Sequence, residues 1–114
     1  MKRFLLITLI SSTVHSHGMY PTELVTSYAK NEYHKVTFTV VNNYKERMCY
    51  EVEINSKIYA PYQACLNPSE SKELNVYVHS KPNEWSVNEV CSLSPLIGNS
   101  RTRMCLTSQS FYLQ

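Results

Sequence analysis

From Met19 onward, apolar and polar residues alternate with a period of two, the signature of half-buried β-strands. Val36, Phe38 and Val40 fall on one side of a strand, with Lys35, Thr37 and Thr39 on the other. Met48, Tyr50, Val52 and Ile54 alternate with Cys49, Glu51 and Glu53. The same rhythm returns at Leu74, Val76 and Val78, at Trp85 and Val87, and at Thr102, Met104 and Leu106. Turn-forming clusters separate these runs, at Lys30–Glu32, Asn42–Lys45, Asn55–Lys57, Asn67–Ser71, Lys81–Asn83 and Pro95–Ser100. The pattern predicts strands over 20–28, 33–42, 47–55, 58–63, 72–79, 84–92 and 101–112. No stretch carries a long apolar stripe at helical spacing. Seven short strands with turns every 8–12 residues predict one all-β domain, an immunoglobulin-like sandwich.

Strand parity adds detail. Cys49 shares a face with Glu51 and Glu53, and Cys105 shares one with Arg103, so these cysteines are expected to point away from the core. Val90 breaks the alternation begun by Trp85 and Val87, and a bulge near Asn88–Val90 would align Cys91 with Cys105. Trp85 itself is expected in the core, packed against a disulfide.

The first residues follow a different rule. Lys2 and Arg3 precede a seven-residue apolar run, Phe4–Ile10, and then a small, polar stretch to Ser16. This is the layout of a cleavable secretion signal. The apolar run is far short of the roughly 20 residues of a membrane span. Cleavage after Ser16 would leave a mature domain of residues 17–114 beginning at His17, with a cut after Gly18 as the alternative. The mature protein is expected in the periplasm or secreted, with no membrane attachment.

An exported chain with four cysteines, Cys49, Cys65, Cys91 and Cys105, reads as a two-disulfide domain. Three pairings are possible. Cys49–Cys65 with Cys91–Cys105 is favoured, because each closes a short loop between neighbouring strands, and each is worth about 3 kcal/mol by restricting the unfolded chain. Spacing of the CxxC type, which a structural zinc site would need, is missing.

Lys2 and Arg3 fall in the leader, which leaves nine Lys and Arg against nine Glu. A balanced domain gives no electrostatic case for nucleic acid or anionic membranes. The chain has no Asp, which argues against carboxylate-dense calcium loops and paired-Asp catalysis. It has no GxSxG elbow for a nucleophilic serine, and its cysteines are better used as disulfides than as nucleophiles. The expectation is a non-enzymatic protein without a cofactor.

Two binding chemistries stand out. A mature terminus at His17 would offer copper both an amine and an imidazole, with the softer Met19 two residues on and a further ligand from His34 or His79. The other lies in a set of motifs. Tyr20-Pro21-Thr22-Glu23-Leu24-Val25, Val36–Asn43 (VTFTVVNN), Leu66-Asn67-Pro68-Ser69-Glu70-Ser71 with the strand after it, and Arg101-Thr102-Arg103-Met104 together resemble the first domain of periplasmic pilus-assembly chaperones. The resemblance implies an Ig-like fold and a partner, another exported protein such as a pilus subunit, bound by strand addition. It places Arg103, Met104 and Leu106 on the partner-binding edge strand, with Met104 and Leu106 as its apolar pair. At the positions matching the family's two carboxylate-holding cations this chain has Glu23 and Cys105. The function expected is therefore protein–protein contact, as a chaperone-like accessory to a surface structure. The alternatives are a periplasmic copper carrier using His17 and a small exported exclusion or colonisation factor.

Overall fold

A computed structural model describes residues 17–114, and the expected leader lies outside them. Eight strands follow one another: β1 (Gly18–Tyr20), β2 (Leu24–Ala29), β3 (Tyr33–Val41), β4 (Met48–Ile54), β5 (Lys57–Leu66), β6 (Ser71–His79), β7 (Trp85–Leu93) and β8 (Arg103–Tyr112). They form two sheets, a three-stranded β1-β3-β6 and a five-stranded β2-β8-β7-β4-β5. The architecture is an Ig-like β-sandwich, and the described residues contain no helix.

The predicted strand over 20–28 is two strands in different sheets. β1 pairs antiparallel with the end of β3, Met19 opposite Val40. The chain then leaves that sheet through a cis Tyr20–Pro21 bond and pairs as β2, in parallel, with the second half of β8, from Leu24–Thr107 to Ala29–Tyr112. Proline supplies no N–H and suits a point where a ladder is broken and resumed elsewhere.

The alternation seen in sequence fills the interior. Val36, Phe38 and Val40 of β3 meet Tyr50, Val52 and Ile54 of β4 across the sandwich, with Val76, Val78, Val90 and Leu106 beside them. The β4–β5 hairpin closes on Asn55 and Ser56, at φ 51° and 70°. Two consecutive residues with positive φ give the tight turn whose twist matches its strands. Asn55 is also stitched to β7, donating its backbone N–H to Glu89 O and its Nδ2 to Asn88 Oδ1.

Two parity expectations are corrected. β7 runs in unbroken register with β8, Trp85 opposite Phe111 and Cys91 opposite Cys105, with no bulge at Asn88–Val90. Its inward residues are Asn88, Val90 and Ser92, so Trp85 and Val87 point outward, and Trp85 is 44% exposed. Two buried polar residues in the inward set are what made the outward apolar pair resemble core. The irregularity lies in β5 instead, where the ladder steps from Glu51–Gln63 to Val52–Tyr59. This lengthens the expected 58–63 strand to Lys57–Leu66.

The end of β3 is secured by one buried amide. Asn42 has no exposed surface. Its Nδ2 donates to Glu46 O and Leu66 O, both at 2.9 Å, and its Oδ1 accepts from Tyr44 N at 3.0 Å and Tyr50 Oη at 2.7 Å. Its backbone N–H donates to Glu70 O while its carbonyl accepts from Ser69 N. Burial pushes the Tyr50 phenol up to about 12, with Tyr44 adding to the effect, so it remains a donor at neutral pH.

Asn42→Ala leaves a buried phenol and a buried carbonyl without partners. It is expected to cost about 2–4 kcal/mol in urea unfolding. Asn42→Asp would turn an oxygen towards two carbonyls and should cost at least as much. Thr37→Ala, which removes an exposed cross-strand bond to Asn75, should cost less than about 1 kcal/mol.

Candidate recognition edge and its disulfide-braced face

The two halves of β8 have different surroundings. Thr107–Tyr112 lies between β7 and β2, whereas Arg103–Leu106 pairs with β7 on one side and with no described strand on the other. Backbone direction decides which groups face the open side. In an antiparallel ladder, close pairs with Cα atoms near 4.5 Å turn their N–H and C=O away from each other. Cys91 and Cys105 are 4.0 Å apart at Cα, so Cys105 belongs to such a pair and Arg103, two residues earlier, has the same orientation. Two neighbouring bonds agree with this parity. Thr107 N–H turns away from β7 to donate to Glu23 O, and Thr102 O accepts from Ser94 N on the β7 side. The open edge therefore consists of the backbone N–H and C=O groups of Arg103 and Cys105.

Side chains alternate the other way. Leu106 is 1% exposed and lies in the core, so it is corrected from a partner-facing residue to a structural one. Its parity was read correctly, but an inward apolar residue in mid-strand is enclosed by the facing sheet. Met104, two residues nearer the strand's start, is only partly buried against the core margin. Arg103 points outward and bridges Glu53 at 2.9 Å and Glu89 at 3.0 Å. Hydrogen bonding to Glu53 and then to Glu89 raises its pKa further. Beside it Arg101 donates to Glu51 Oε1 at 2.8 Å and to Ser94 O at 2.8 Å. Cys105, which the resemblance sets at a cation position, is bonded to Cys91. Glu23, at the other, holds Thr107 through its carbonyl. Neither can hold a carboxylate.

Both disulfides lie on this outer face. Cys49–Cys65 joins β4 to β5 and Cys91–Cys105 joins β7 to β8, each between directly opposed residues. Glu89 stands close to the second pair, but sulfurs joined to each other are not thiolate ligands.

The histidines are not brought together. His17 is 2% exposed and lies beneath the start of β8. Its Nδ1 is 3.0 Å from Thr102 Oγ1, its Nε2 is 2.8 Å from Ser92 Oγ, and its ring packs on Tyr50 at 4.7 Å between centroids. His34 Nε2 meets Ser27 Oγ at 2.8 Å, and His79 Nε2 meets Glu32 at 3.2 Å. The copper set of His17, His34 and His79 is thereby corrected: one imidazole is an interior packing group with both nitrogens engaged, and the other two serve separate strands. Nothing in sequence distinguished His17 from an exposed terminus, because the contacts that bury it come from Tyr50, Ser92 and Thr102, all more than 30 positions away.

Burial lowers the pKa of His17, against a smaller opposing effect from the Ser92 carbonyl, and burial also lowers that of His34. A histidine depressed in the folded state binds its proton more readily when unfolded. Its full stability is present above its ordinary value of 6.5 and is lost as pH falls from there through the folded pKa. The urea midpoint is expected to drop between pH 7.5 and pH 5.5, and to drop less in His17→Gln. Equal drops in the two proteins would show that His17 does not carry the effect.

Neither a protein-family model nor a curated protein sequence matches the chain. Solved structures do. The E. coli chaperone DraB superposes with a TM-score of 0.63 at 16% identity, over 86% of this chain and 55% of DraB. The periplasmic chaperone SfaE gives 0.63 at 12% identity, over 86% of this chain and 59% of SfaE. The seventh PapD-like domain of human CEP192 gives 0.61 at 7% identity, over 96% of this chain and 95% of that domain. The chain spans little more than half the length of the two chaperones. At these identities the likeness is one of fold, an immunoglobulin-like β-sandwich.

Proposed function

We propose that this is an exported, non-enzymatic Ig-like protein that binds an extended segment of another exported protein by strand addition. The observation that carries the proposal is the open edge of β8, where the N–H and C=O groups of Arg103 and Cys105 face no described strand. Backbone pairing there would supply affinity, and Met104 at the core margin would receive an inward side chain of the incoming strand. The fold shared with an E. coli chaperone and with a periplasmic chaperone supports a chaperone-like role. The resemblance of the motifs supports a surface structure such as a pilus as the setting. With Glu23 and Cys105 at the cation positions, the partner's terminal carboxylate is not the anchor. Recognition then rests on the strand itself.

Arg103→Pro removes an edge donor without taking a hydrogen bond from the β7 ladder. Arg103→Ala removes the same salt bridges and keeps the donor. Tagged protein would be recovered from the periplasmic or secreted fraction and its co-purifying proteins identified by mass spectrometry. Capture of the main partner is expected to fall about tenfold with proline and to change less than about threefold with alanine. A folded Arg103→Pro protein that retains full capture would remove the edge from consideration.

Export and folding should also be coupled. Each disulfide closes a loop of about 15 residues, worth about 3 kcal/mol, in a domain whose core is small. Expressed without its leader in a reducing cytosol, the domain is expected to be poorly soluble. A stable, soluble product with four free thiols would overturn this dependence.

A further inference from the structure

About 20 Å along β8 from the open edge, the sandwich carries a second surface of different chemistry. Tyr28 at the end of β2, Lys30 and Asn31 in the β2–β3 turn, Tyr33, His34 and Lys35 at the start of β3, and Tyr77 of β6 line an open cleft of about 360 Å³. Lys35 and Tyr77 are direct cross-strand partners. The three tyrosines are 76%, 59% and 51% exposed, and none of their hydroxyls has a hydrogen bond to a described residue. Neither lysine takes part in an ion pair among the described residues, and no carboxylate lines the cleft. Nearby Glu32 is engaged with His79. In a domain with equal numbers of Lys/Arg and Glu, this is a local concentration of unneutralised positive charge.

We infer that this cleft binds a single acidic sugar residue, either free or at the end of a glycan. Its volume falls in the ordinary range for small-molecule sites, and its lining is as polar as it is apolar. Tyrosines offer an apolar face and a polar tip at little entropic cost, matching a ring with C–H groups on its faces and hydroxyls around its rim. Asn31 adds an amide to that rim, although its Oδ1 already accepts from Tyr33 N. Lys30 and Lys35 supply point charges for a carboxylate or sulfate. The cleft has no arginine fork of the kind that grips phosphate in two places. Two lysines do not make a track for a polyanion backbone. His34 is held by Ser27, and burial lowers its pKa, so it adds no positive charge of its own at neutral pH.

The test is an NMR titration of the isotope-labelled domain with methyl glucuronide. Methyl glucoside is the neutral comparator and tetraglutamate the acidic comparator without a ring. Saturable shifts are expected at residues 28–35 and at Tyr77, with the glucoside and the peptide each at least about fivefold weaker. Tyr77→Ala should weaken glucuronide about tenfold and the double variant Lys30→Gln, Lys35→Gln about fivefold. Both alter exposed residues, and their unperturbed spectra elsewhere would show that the fold is kept. No saturable shift, or shifts centred outside the cleft, would overturn the site. A glucoside bound as tightly as the glucuronide would overturn the acidic specificity, and an equally tight tetraglutamate would point to an acidic peptide instead. Arg103→Pro should leave the titration unchanged, so this site and the β8 edge stand or fall separately.

Discussion

The sandwich depends on the satisfied amide of Asn42. β3 ends in a region where four segments meet: its own last residue, the loop to β4, the end of β5 and the turn into β6. An irregular junction buries backbone groups that no ladder can pair, and each would cost free energy if left bare. One asparagine offers two donors and two acceptors on its side chain and one of each on its backbone. At Asn42 all six are used, against Glu46, Leu66, Tyr44, Tyr50, Glu70 and Ser69. No other residue type could make the same set of bonds. Aspartate lacks the side-chain donors, and glutamine would push its amide past partners fixed at 2.7–3.0 Å. The junction in turn orients Tyr50, whose ring packs on His17, so the start of the described chain is held from the same point.

The switch of the first strand determines what β8 can offer. A single long strand over 20–28 in one sheet would leave β8 either wholly covered or wholly open. Division at Pro21 places three residues on β3 and six on β8, so β8 is protected along Thr107–Tyr112 and open along Arg103–Leu106. An open edge attracts unwanted pairing, which short length and charge discourage. Here the open part is four residues long, begins with an arginine engaged by two glutamates, and ends with a buried leucine. Such an edge is short and flanked by charge, which discourages indiscriminate pairing.

How much of this was legible in the sequence followed from how local each cause was. The inner faces of β3, β4 and β6 were readable because their alternation is unbroken and their neighbours are apolar. The turn at Asn55 and Ser56 was readable because a tight hairpin demands residues tolerant of positive φ. The faces of β7 were misread because a polar interior inverts the usual code: Asn88 and Ser92 are buried with their hydrogen-bond partners, and Trp85 lies outside against Tyr28 and Phe111. A hydrophobic pattern carries no record of which polar residues will find partners. The division of the first strand and the burial of His17 were hidden for the same reason, since both are decided by residues far away in the chain. At the candidate edge, Arg103 and Met104 were identifiable from their motif. The removal of Leu106 required the packing of the other sheet, and the tyrosine–lysine cleft required β2, β3 and β6 to be placed side by side.

The position of the disulfides bears on how such an edge could work. Had they crossed the interior, they would have held sheet to sheet and left the in-plane position of each strand to hydrogen bonds alone. Lying on the outer face between opposed residues, they fix β8 to β7 and β5 to β4 within one sheet. The Cys91–Cys105 bond sits at the centre of the open stretch, and Arg103 ties its outer end to β4 and β7 through Glu53 and Glu89. An incoming strand must otherwise meet the cost of ordering the edge it pairs with. An edge already ordered by a covalent link and a buttressed arginine lowers that cost, leaving more of the pairing energy to appear as affinity. The same features that keep a small domain folded therefore keep the open stretch of β8 straight.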